Sequence, residues 1–359
     1  MASSTPAYSV VRADLARDRD VILDVWARNL SSVRKLPEKF DWHFLRNPNG
    51  TGRCWLLLAN GEPVGTSALG MRTVQVAGRT VLAGAACDLA VDKAHRFLQP
   101  ALMLQKSVVS AVCDGVDLVY GLPNSRGAAP IKRVGYRESC EMHRYARPIR
   151  VSPYLARRAP FLPGAVGALA DAVARALSRL RYRGARGYRL EVVKSFDSRF
   201  DELWEREKCR HEVIGIRDSR YLNWRYSECP LQSYEAIALI SPDSRLAGFV
   251  VYYMDGGRMC WVDFLGGGEP AEAAGLIGGA IRHALRLGAV SISAHGSAPA
   301  GIVSHLERLG FGRRTSSPSE DPRAGDAVTA RTLLVYAAPE WSERALNPWY
   351  ITAGDEPYN

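Results

Sequence analysis

The sequence predicts a mixed α/β fold in which one arrangement of helices and strands occurs twice. The chain has 359 residues, of which 47% are hydrophobic and 23% charged, as in ordinary globular proteins. Strand-like apolar runs with period two alternate with runs of helical period along its length. Two tryptophans, Trp42 and Trp224, are each followed six positions later by a proline, Pro48 and Pro230. The length therefore fits two domains of normal size.

A longer alignment between the two segments of the sequence supports the repeat. Asp88 and Asp263 each lie at the end of an apolar run, and each precedes a glycine–aromatic pair by 47 positions, at 135–136 and 310–311. One shift of 175 residues aligns both pairs without a gap. We interpret the two segments as copies of one fold.

Within the first copy, the elements can be predicted in order. A helix is expected over 18–30, because Ile22, Val25 and Trp26 fall on one helical face. A second helix is expected over 100–113, since Pro100 suits a first helical turn. Strands are predicted at 54–58, 64–71, 81–91 and 117–120, with a closing strand that reaches residue 142.

The domain organisation follows from the repeat. We predict an N-terminal domain at 1–147, a basic helical linker at 148–187, a C-terminal domain at 188–338 and an aromatic tail at 339–359 that packs on a domain. The linker has helical apolar spacing over 165–182 and ends in arginines at 175, 179, 181, 183 and 186. It is interpreted as a packed linker helix with a solvated basic end. The alternatives are an interfacial membrane helix and a docking face for an acidic partner.

Charge and cysteine content limit the function classes. The chain carries 47 Lys and Arg against 37 Asp and Glu, a net charge of +10, which suits nucleic acid, acidic lipid or an anionic substrate. Its seven cysteines lack CxxC spacing and there is no HExxH, so no metal is expected. The N-terminus lacks an apolar signal core, and we expect a cytoplasmic protein, with peripheral attachment to a membrane as the alternative. Phosphate-loop, dinucleotide and serine-hydrolase motifs are absent from the sequence.

One group of residues resembles a known family. The segment Asp88-Leu89-Ala90-Val91-Asp92, followed by His95-Arg96, a helix, Asn124 and Gly135-Tyr136, resembles the GNAT superfamily of acyl-CoA N-acyltransferases. The resemblance covers 8–147 well and 188–338 more faintly. The tryptophan-to-proline segments and the tail 349–355 are also similar to tandem GNAT-like proteins associated with bacterial exopolysaccharide or cell-envelope assembly.

The resemblance implies a coenzyme A site in the first copy. The family places Arg/Gln-x-x-Gly-x-Gly/Ala at a helix N-terminus, where backbone N–H groups receive the pyrophosphate. The matching segment runs from Arg96 to Ala101, but Gln99 replaces the central glycine and Pro100 contributes no N–H. The residues implied to bind the cofactor are Leu89, Ala90, Val91, Arg96, Leu98, Gln99, Ala101 and Asn124.

The same resemblance suggests catalytic roles. Asp88 is the implied base that accepts the proton of the acceptor amine, with a structural ion pair as the alternative. The usual tyrosine acid falls on Ile131, so the acid for the thiolate is unassigned. In the second copy, Ala271 stands at the Arg96 position and Glu269 and Glu272 would oppose a phosphate. We therefore interpret that copy as degenerate, with a structural or substrate-binding role.

The expected function is acyl transfer, with acetyl-CoA or another acyl-CoA as co-substrate. The acceptor would be an amine on a small molecule or glycan precursor. An acidic carrier protein or a membrane surface is a possible partner of the basic linker, and nucleic acid is an unlikely one. Two alternatives stay open: an aminoacyl-tRNA-dependent transferase of the peptidoglycan-bridge type, and a catalytically silent binding protein in polysaccharide assembly.

Overall fold

Helices and strands alternate on both sides of the basic linker, which confirms the predicted mixed α/β fold. The computed structural model describes residues 6–30, 35–123, 131–159, 161, 164–181, 187–297, 300–314 and 331–357. We call the residues before and after the linker 148–187 the first and second half. The division into domains at these positions stays a prediction.

The described elements are as follows. The α-helices are α1 (Arg19–Asn29), α2 (Leu36–Phe40), α3 (Leu98–Val109), α4 (Ser152–Arg158), α5 (Gly164–Arg181), α6 (Ser198–Glu207), α7 (Ser219–Leu222), α8 (Pro270–Arg286) and α9 (Ala300–Arg308). The strands of the first half and the linker boundary are β1 (Tyr8–Arg12), β2 (Arg53–Ala59), β3 (Glu62–Val76), β4 (Arg79–Val91), β5 (Leu118–Gly121) and β6 (Arg137–Pro148). Those of the second half are β7 (Arg189–Val193), β8 (Val213–Gly215), β9 (Glu235–Ile240), β10 (Leu246–Asp255), β11 (Arg258–Gly266), β12 (Ser291–Ser297), β13 (Gly312–Arg314), β14 (Arg331–Ala337) and β15 (Trp349–Thr352).

The two halves share one sheet, and its pairings close a ring. Going round the ring, the strands are β6, β14, β5, β4, β3, β8, β15 and β12, and β12 pairs β6 again. The interior is apolar, with Val74, Tyr120, Trp349 and Ile351 among its buried side chains. The core of this ring therefore draws on residues from both halves.

The halves also exchange strands. β14 comes from the second half but lies between β5 and the N-terminal part of β6, where Val335 pairs Arg137 and Tyr120. The C-terminal part of β6 lies in turn between β12 and β13, where Tyr145 pairs Ala294 and Arg313. Each half thus receives a strand from the other at the equivalent place in its sheet.

A π-helix follows a short α-helix in each half. The first spans Asp41–Leu45 and directly follows α2, and the second spans Asn223–Ser227 and directly follows α7. Trp42 and Trp224 lie at the second position of each, buried, with their rings stacked 4.9 Å apart. The shared local geometry agrees with the repeat found in the sequence.

The C-terminal tail reaches the centre of the molecule. β15 pairs β8 and β12, and Asp355 lies buried just after it. Asp355 Oδ1 accepts a hydrogen bond from Arg72 Nη2 at 2.9 Å, and its Oδ2 is ion-paired with Arg217 Nη2. Arg217 Nε also donates to Asp263 Oδ1 at 2.9 Å. The tail therefore joins β3 of the first half to β11 of the second through buried charges.

The part of the chain that the structure describes contains no helix long and apolar enough to cross a membrane.

Candidate functional site

A β-bulge at Asp88 interrupts the pairing of β3 with β4. Thr66 pairs Ala90 and Ala68 pairs Cys87, so Asp88 and Leu89 face the single residue between them. Asp88 has a φ of 50°, in the left-handed region that non-glycine residues seldom adopt. Its carbonyl accepts a hydrogen bond from Thr66 Oγ1 at 3.0 Å. The bulge changes the direction of the strand at Asp88, the residue that the family resemblance implies to be the catalytic base.

The carboxylate of Asp88 is buried and ion-paired. Lys39 Nζ, from α2, lies 2.5 Å from Asp88 Oδ1, and both side chains are at most 1% exposed. The ammonium also lies 5.4 Å from the centre of the Trp26 ring. Asp88 Oδ2 has no hydrogen-bond partner among the described residues. One carboxylate oxygen is thus ion-paired, and the other is buried without a hydrogen-bond partner among the described residues.

Strand β4 extends well beyond its short pairing with β5. Within the described chain their pairing covers only Ala83–Ala85 with 118–120, whereas β4 continues to Val91. On its other side β4 stays paired to β3 as far as Val91. Among the described strands, the edge of β4 that faces away from β3 therefore has no strand partner at 89–91. The predicted residues Leu89, Ala90 and Val91 lie on this edge.

The loop after β4 leads into the N-terminus of α3. Arg96 donates from Nε to the Val91 carbonyl at 2.7 Å and from Nη2 to Asn29 Oδ1 at 3.0 Å. These bonds fix the guanidinium beside the end of β4. Leu98 and Gln99 form the first turn of α3 and are exposed, and Ala101 follows in the same helix. The structure thus brings together the predicted residues at 89–91 and 96–101.

Other predicted residues lie elsewhere. Asn124 falls outside the described residues. Ile131, at the position of the usual acid, is buried. Tyr136 packs against Tyr336 at 5.9 Å, and burial raises the pKa of its hydroxyl. Tyr136 therefore belongs to the core rather than to the site.

The second half contains a cleft that sequence analysis missed. Its volume is about 250 Å³, and it lies at the N-terminus of α8 beside Gly266-Gly267-Gly268. Gly266 and Gly267 have φ values of 91° and 72°, which favour glycine. A smaller, apolar cavity, lined in part by Trp261, Phe264 and Leu276, shares residues with it. The larger cleft therefore adjoins an apolar interior.

Charged and titratable side chains line this cleft. Arg210 approaches Gly268 so closely that a Cβ there would lie 1.4 Å from Arg210 Nη1. Burial, reinforced by Arg217 and Arg210, lowers the pKa of His211 to about 4, so its imidazole is neutral near pH 7. Glu272, which was expected to repel a phosphate, is buried and paired with Arg245 at 2.9 Å. The triple glycine at 266–268 is the sequence signal for this cleft. Arg210 lies too far away in the sequence to be assigned to the same site.

Solved structures share this fold across almost the whole chain. No family model matches the sequence, and no curated protein sequence matches it. The chain is similar to a GCN5-related N-acetyltransferase from Anabaena variabilis, with a TM-score of 0.65, 8% identity, and 92% of this chain and 73% of that one covered. A GCN5-related N-acetyltransferase from Kribbella flavida gives a TM-score of 0.62 and 15% identity, covering 97% and 75%.

A third similar structure is N-myristoyltransferase from Saccharomyces cerevisiae with bound myristoyl-CoA. Its TM-score is 0.54 and its identity 14%, and the match covers 93% of this chain and 85% of that one. At such low identity these similarities establish the fold alone. Together with the bulge at Asp88, they show that this chain has the fold of the GCN5-related N-acetyltransferases.

Proposed function

We propose that the protein is an acyl-CoA-dependent N-acyltransferase and that its first half binds the thioester. One observation carries this proposal: β4 bulges at Asp88, extends beyond its pairing with β5, and leads directly to the exposed N-terminus of α3. A strand edge with unused backbone groups can pair with the amide arm of coenzyme A. An open helix N-terminus can receive its pyrophosphate.

The proposed roles follow this layout. The backbone of Leu89–Val91 binds the pantetheine arm and orients the thioester. Arg96, fixed by Val91 and Asn29, supplies positive charge beside the first turn of α3. Gln99 and Ala101 border the phosphate site, and Asn124 is assigned to the coenzyme A arm.

Asp88 is the proposed proton acceptor. Lys39 holds Oδ1, and Oδ2 is free of partners among the described residues, so Oδ2 is the oxygen that takes the proton. As the amine attacks the thioester carbonyl it loses a proton to Asp88, the C–S bond breaks, and the coenzyme A thiolate departs. Lys39 is a positioning residue, because it acts on the reaction only through Asp88.

Acetyl-CoA is the proposed donor, and an amine of a small molecule or an envelope glycan precursor is the proposed acceptor. The likeness to acyl-CoA-handling folds supports the donor class. The proposal for the acceptor is supported only by the sequence resemblance to tandem proteins of exopolysaccharide loci.

Calorimetry with acetyl-CoA tests the thioester site directly. Arg96→Glu should weaken acetyl-CoA binding about tenfold or more, because it reverses a charge beside the phosphate site. Arg210→Glu is the matched control, since it makes the same reversal in the cleft of the second half. If Arg210→Glu weakens binding and Arg96→Glu does not, the second half is the thioester site and the assignment to the first half is wrong.

Kinetics test the role of Asp88. Asp88→Asn should lower kcat at least about 100-fold while leaving the affinity for acetyl-CoA nearly unchanged. Unchanged turnover would remove Asp88 as the base.

The two alternatives predict different binding data. An aminoacyl-tRNA-dependent transferase would bind charged tRNA and fail to bind acetyl-CoA at high micromolar concentration. A silent binding protein would bind a glycan without releasing free thiol from acetyl-CoA in the presence of any amine.

A further inference from the structure

Helix α5 carries large apolar side chains on its outer surface. Val166, Leu169 and Val173 are 43%, 66% and 51% exposed, and they are spaced three and four residues apart. This spacing places them on one side of a helix. Phe161, just before the helix, is 82% exposed. Isolated apolar residues are common on protein surfaces, but three on one side of a helix form a row.

The opposite side of α5 is fixed to the protein. At Gly167 the helix lies so close to α4 that a Cβ would meet Ser152 Cβ at 3.0 Å. Asp171 is buried and accepts from the backbone N–H groups of Val151 and Ser152 at 2.6 and 3.0 Å. Its other oxygen accepts from Ser152 Oγ and Arg150 Nε. These contacts fix the rotation of α5, so the apolar row cannot turn inward without breaking them.

The charge of this region is almost entirely positive. Between residues 150 and 187 the sequence contains eight arginines and a single acidic residue, Asp171. Burial opposes ionisation of Asp171, but hydrogen bonds from Ser152, Val151 and Arg150 outweigh it and keep the pKa of the carboxyl low. That negative charge faces α4 and Arg150 rather than the surface. The segment therefore combines an apolar row on the described part of α5 with a strongly basic sequence.

We propose that α5 binds the surface of a membrane containing anionic phospholipids, lying in the plane of the interface. Val166, Leu169, Val173 and Phe161 would enter the boundary between headgroups and acyl chains, and the net positive charge of this segment would favour anionic lipid. Interfacial helices combine these two features, and their affinity depends on both buried apolar area and anionic lipid. A bilayer suits a row that follows the helix axis, because a flat surface can bury every member at once.

Vesicle sedimentation tests the proposal with the full-length protein. The chain should sediment with vesicles of phosphatidylcholine containing about 30 mol% phosphatidylglycerol, and far less with phosphatidylcholine alone. Raising the salt from about 0.1 M to about 0.5 M should weaken binding, because it screens the arginines. The double variant Leu169→Glu/Val173→Glu should reduce vesicle binding at least about tenfold, since it removes apolar area and adds negative charge.

The matched control is Val11→Glu/Met254→Glu. It adds the same charge at two exposed apolar positions on β1 and β10, outside the helix, and should leave vesicle binding within about twofold of the wild type. Circular dichroism would show that both double variants are folded. Absence of binding to the anionic vesicles would refute the proposal, as would equal losses in the two double variants. Binding to a purified acidic acyl carrier protein in place of vesicles would assign the surface to a protein partner and overturn it as well.

Discussion

Trp42 and Trp224 each donate their indole N–H to the backbone carbonyl of the other, at 2.9 and 3.1 Å. Their rings stack at 4.9 Å with an interplanar angle of 21°. The reciprocal pair relates the two π-helices by a local twofold arrangement, which is what two copies of one fold would form on meeting. In the sequence the two tryptophans mark equivalent positions of separate copies, whereas in the structure they join the two halves.

The tryptophan pair should show strong energetic coupling. Trp42→Phe or Trp224→Phe leaves one buried carbonyl without its donor and should lower the free energy of unfolding by about 1–3 kcal/mol. In the double variant the losses should be non-additive by about 0.5–1.5 kcal/mol, because the rings also interact directly. Urea denaturation measures all four corners of the cycle. Trp42→Phe combined with Trp55→Phe, which lies in a different core cluster, should be additive.

The buried ion pair of Lys39 and Asp88 should be costly to break. Lys39→Met leaves the Asp88 carboxylate buried without a counter-ion and should destabilise the protein by about 3–5 kcal/mol. Lys39→Met/Asp88→Asn removes the uncompensated charge and should recover part of that loss. Chemical denaturation gives both values. A double variant less stable than Lys39→Met would contradict this account.

Asp355 should contribute far more to the free energy of unfolding than an exposed carboxylate does. Asp355→Asn would leave Arg72 and Arg217 buried with less counter-charge and should cost about 3–5 kcal/mol. Glu343→Gln is the control, because Glu343 is 85% exposed and pairs with a partly exposed arginine. That change should cost less than about 0.5 kcal/mol. Equal thermal unfolding midpoints for the two variants would show that the buried network contributes little.

Stability should fall in mild acid because two histidines are held neutral. Burial lowers the pKa of His211 to about 4 and that of His43 well below its usual 6.5, and neighbouring cationic side chains add to both effects. The folded pKa lies below the unfolded one, so the unfolded chain takes up protons first. The stabilisation is present above pH 6.5 and is lost as the pH falls toward 4, by up to about 1.4 kcal/mol per pH unit for each histidine.

Urea midpoints measured across this range would show the slope. His211→Gln should reduce it. An unchanged slope in that variant would exclude His211 as a contributor.

Local elements were largely predictable from the sequence. The helix expected at 18–30 is Arg19–Asn29, and the linker helix expected at 165–182 is Gly164–Arg181. Both carry helical apolar periodicity, a local signal that needs no knowledge of the partner. The closing strand expected near 142 instead continues to Pro148, because its second part pairs with the other half.

The site was predictable only in part. The bulge and the helix start lie close together in sequence, so a local resemblance could find Asp88 and 96–101. Lys39 is 49 residues from Asp88, and no local pattern marks a lysine that is fully buried. Arg210 and the loop 266–268 meet only through folding, which is why the cleft of the second half went unrecognised.

The exchanged strands determine when the protein can finish folding during synthesis. β5 is complete once residue 121 has been made, yet its neighbour β14 begins only at residue 331. Until then the emerging first half exposes an unpaired strand edge, the kind of surface that promotes aggregation. Such distant pairing also slows the final step, because a long loop must close before the strand can join the sheet. A ribosome-bound chain that stops before residue 331 should therefore bind chaperones, even when its local helices and hairpins have formed.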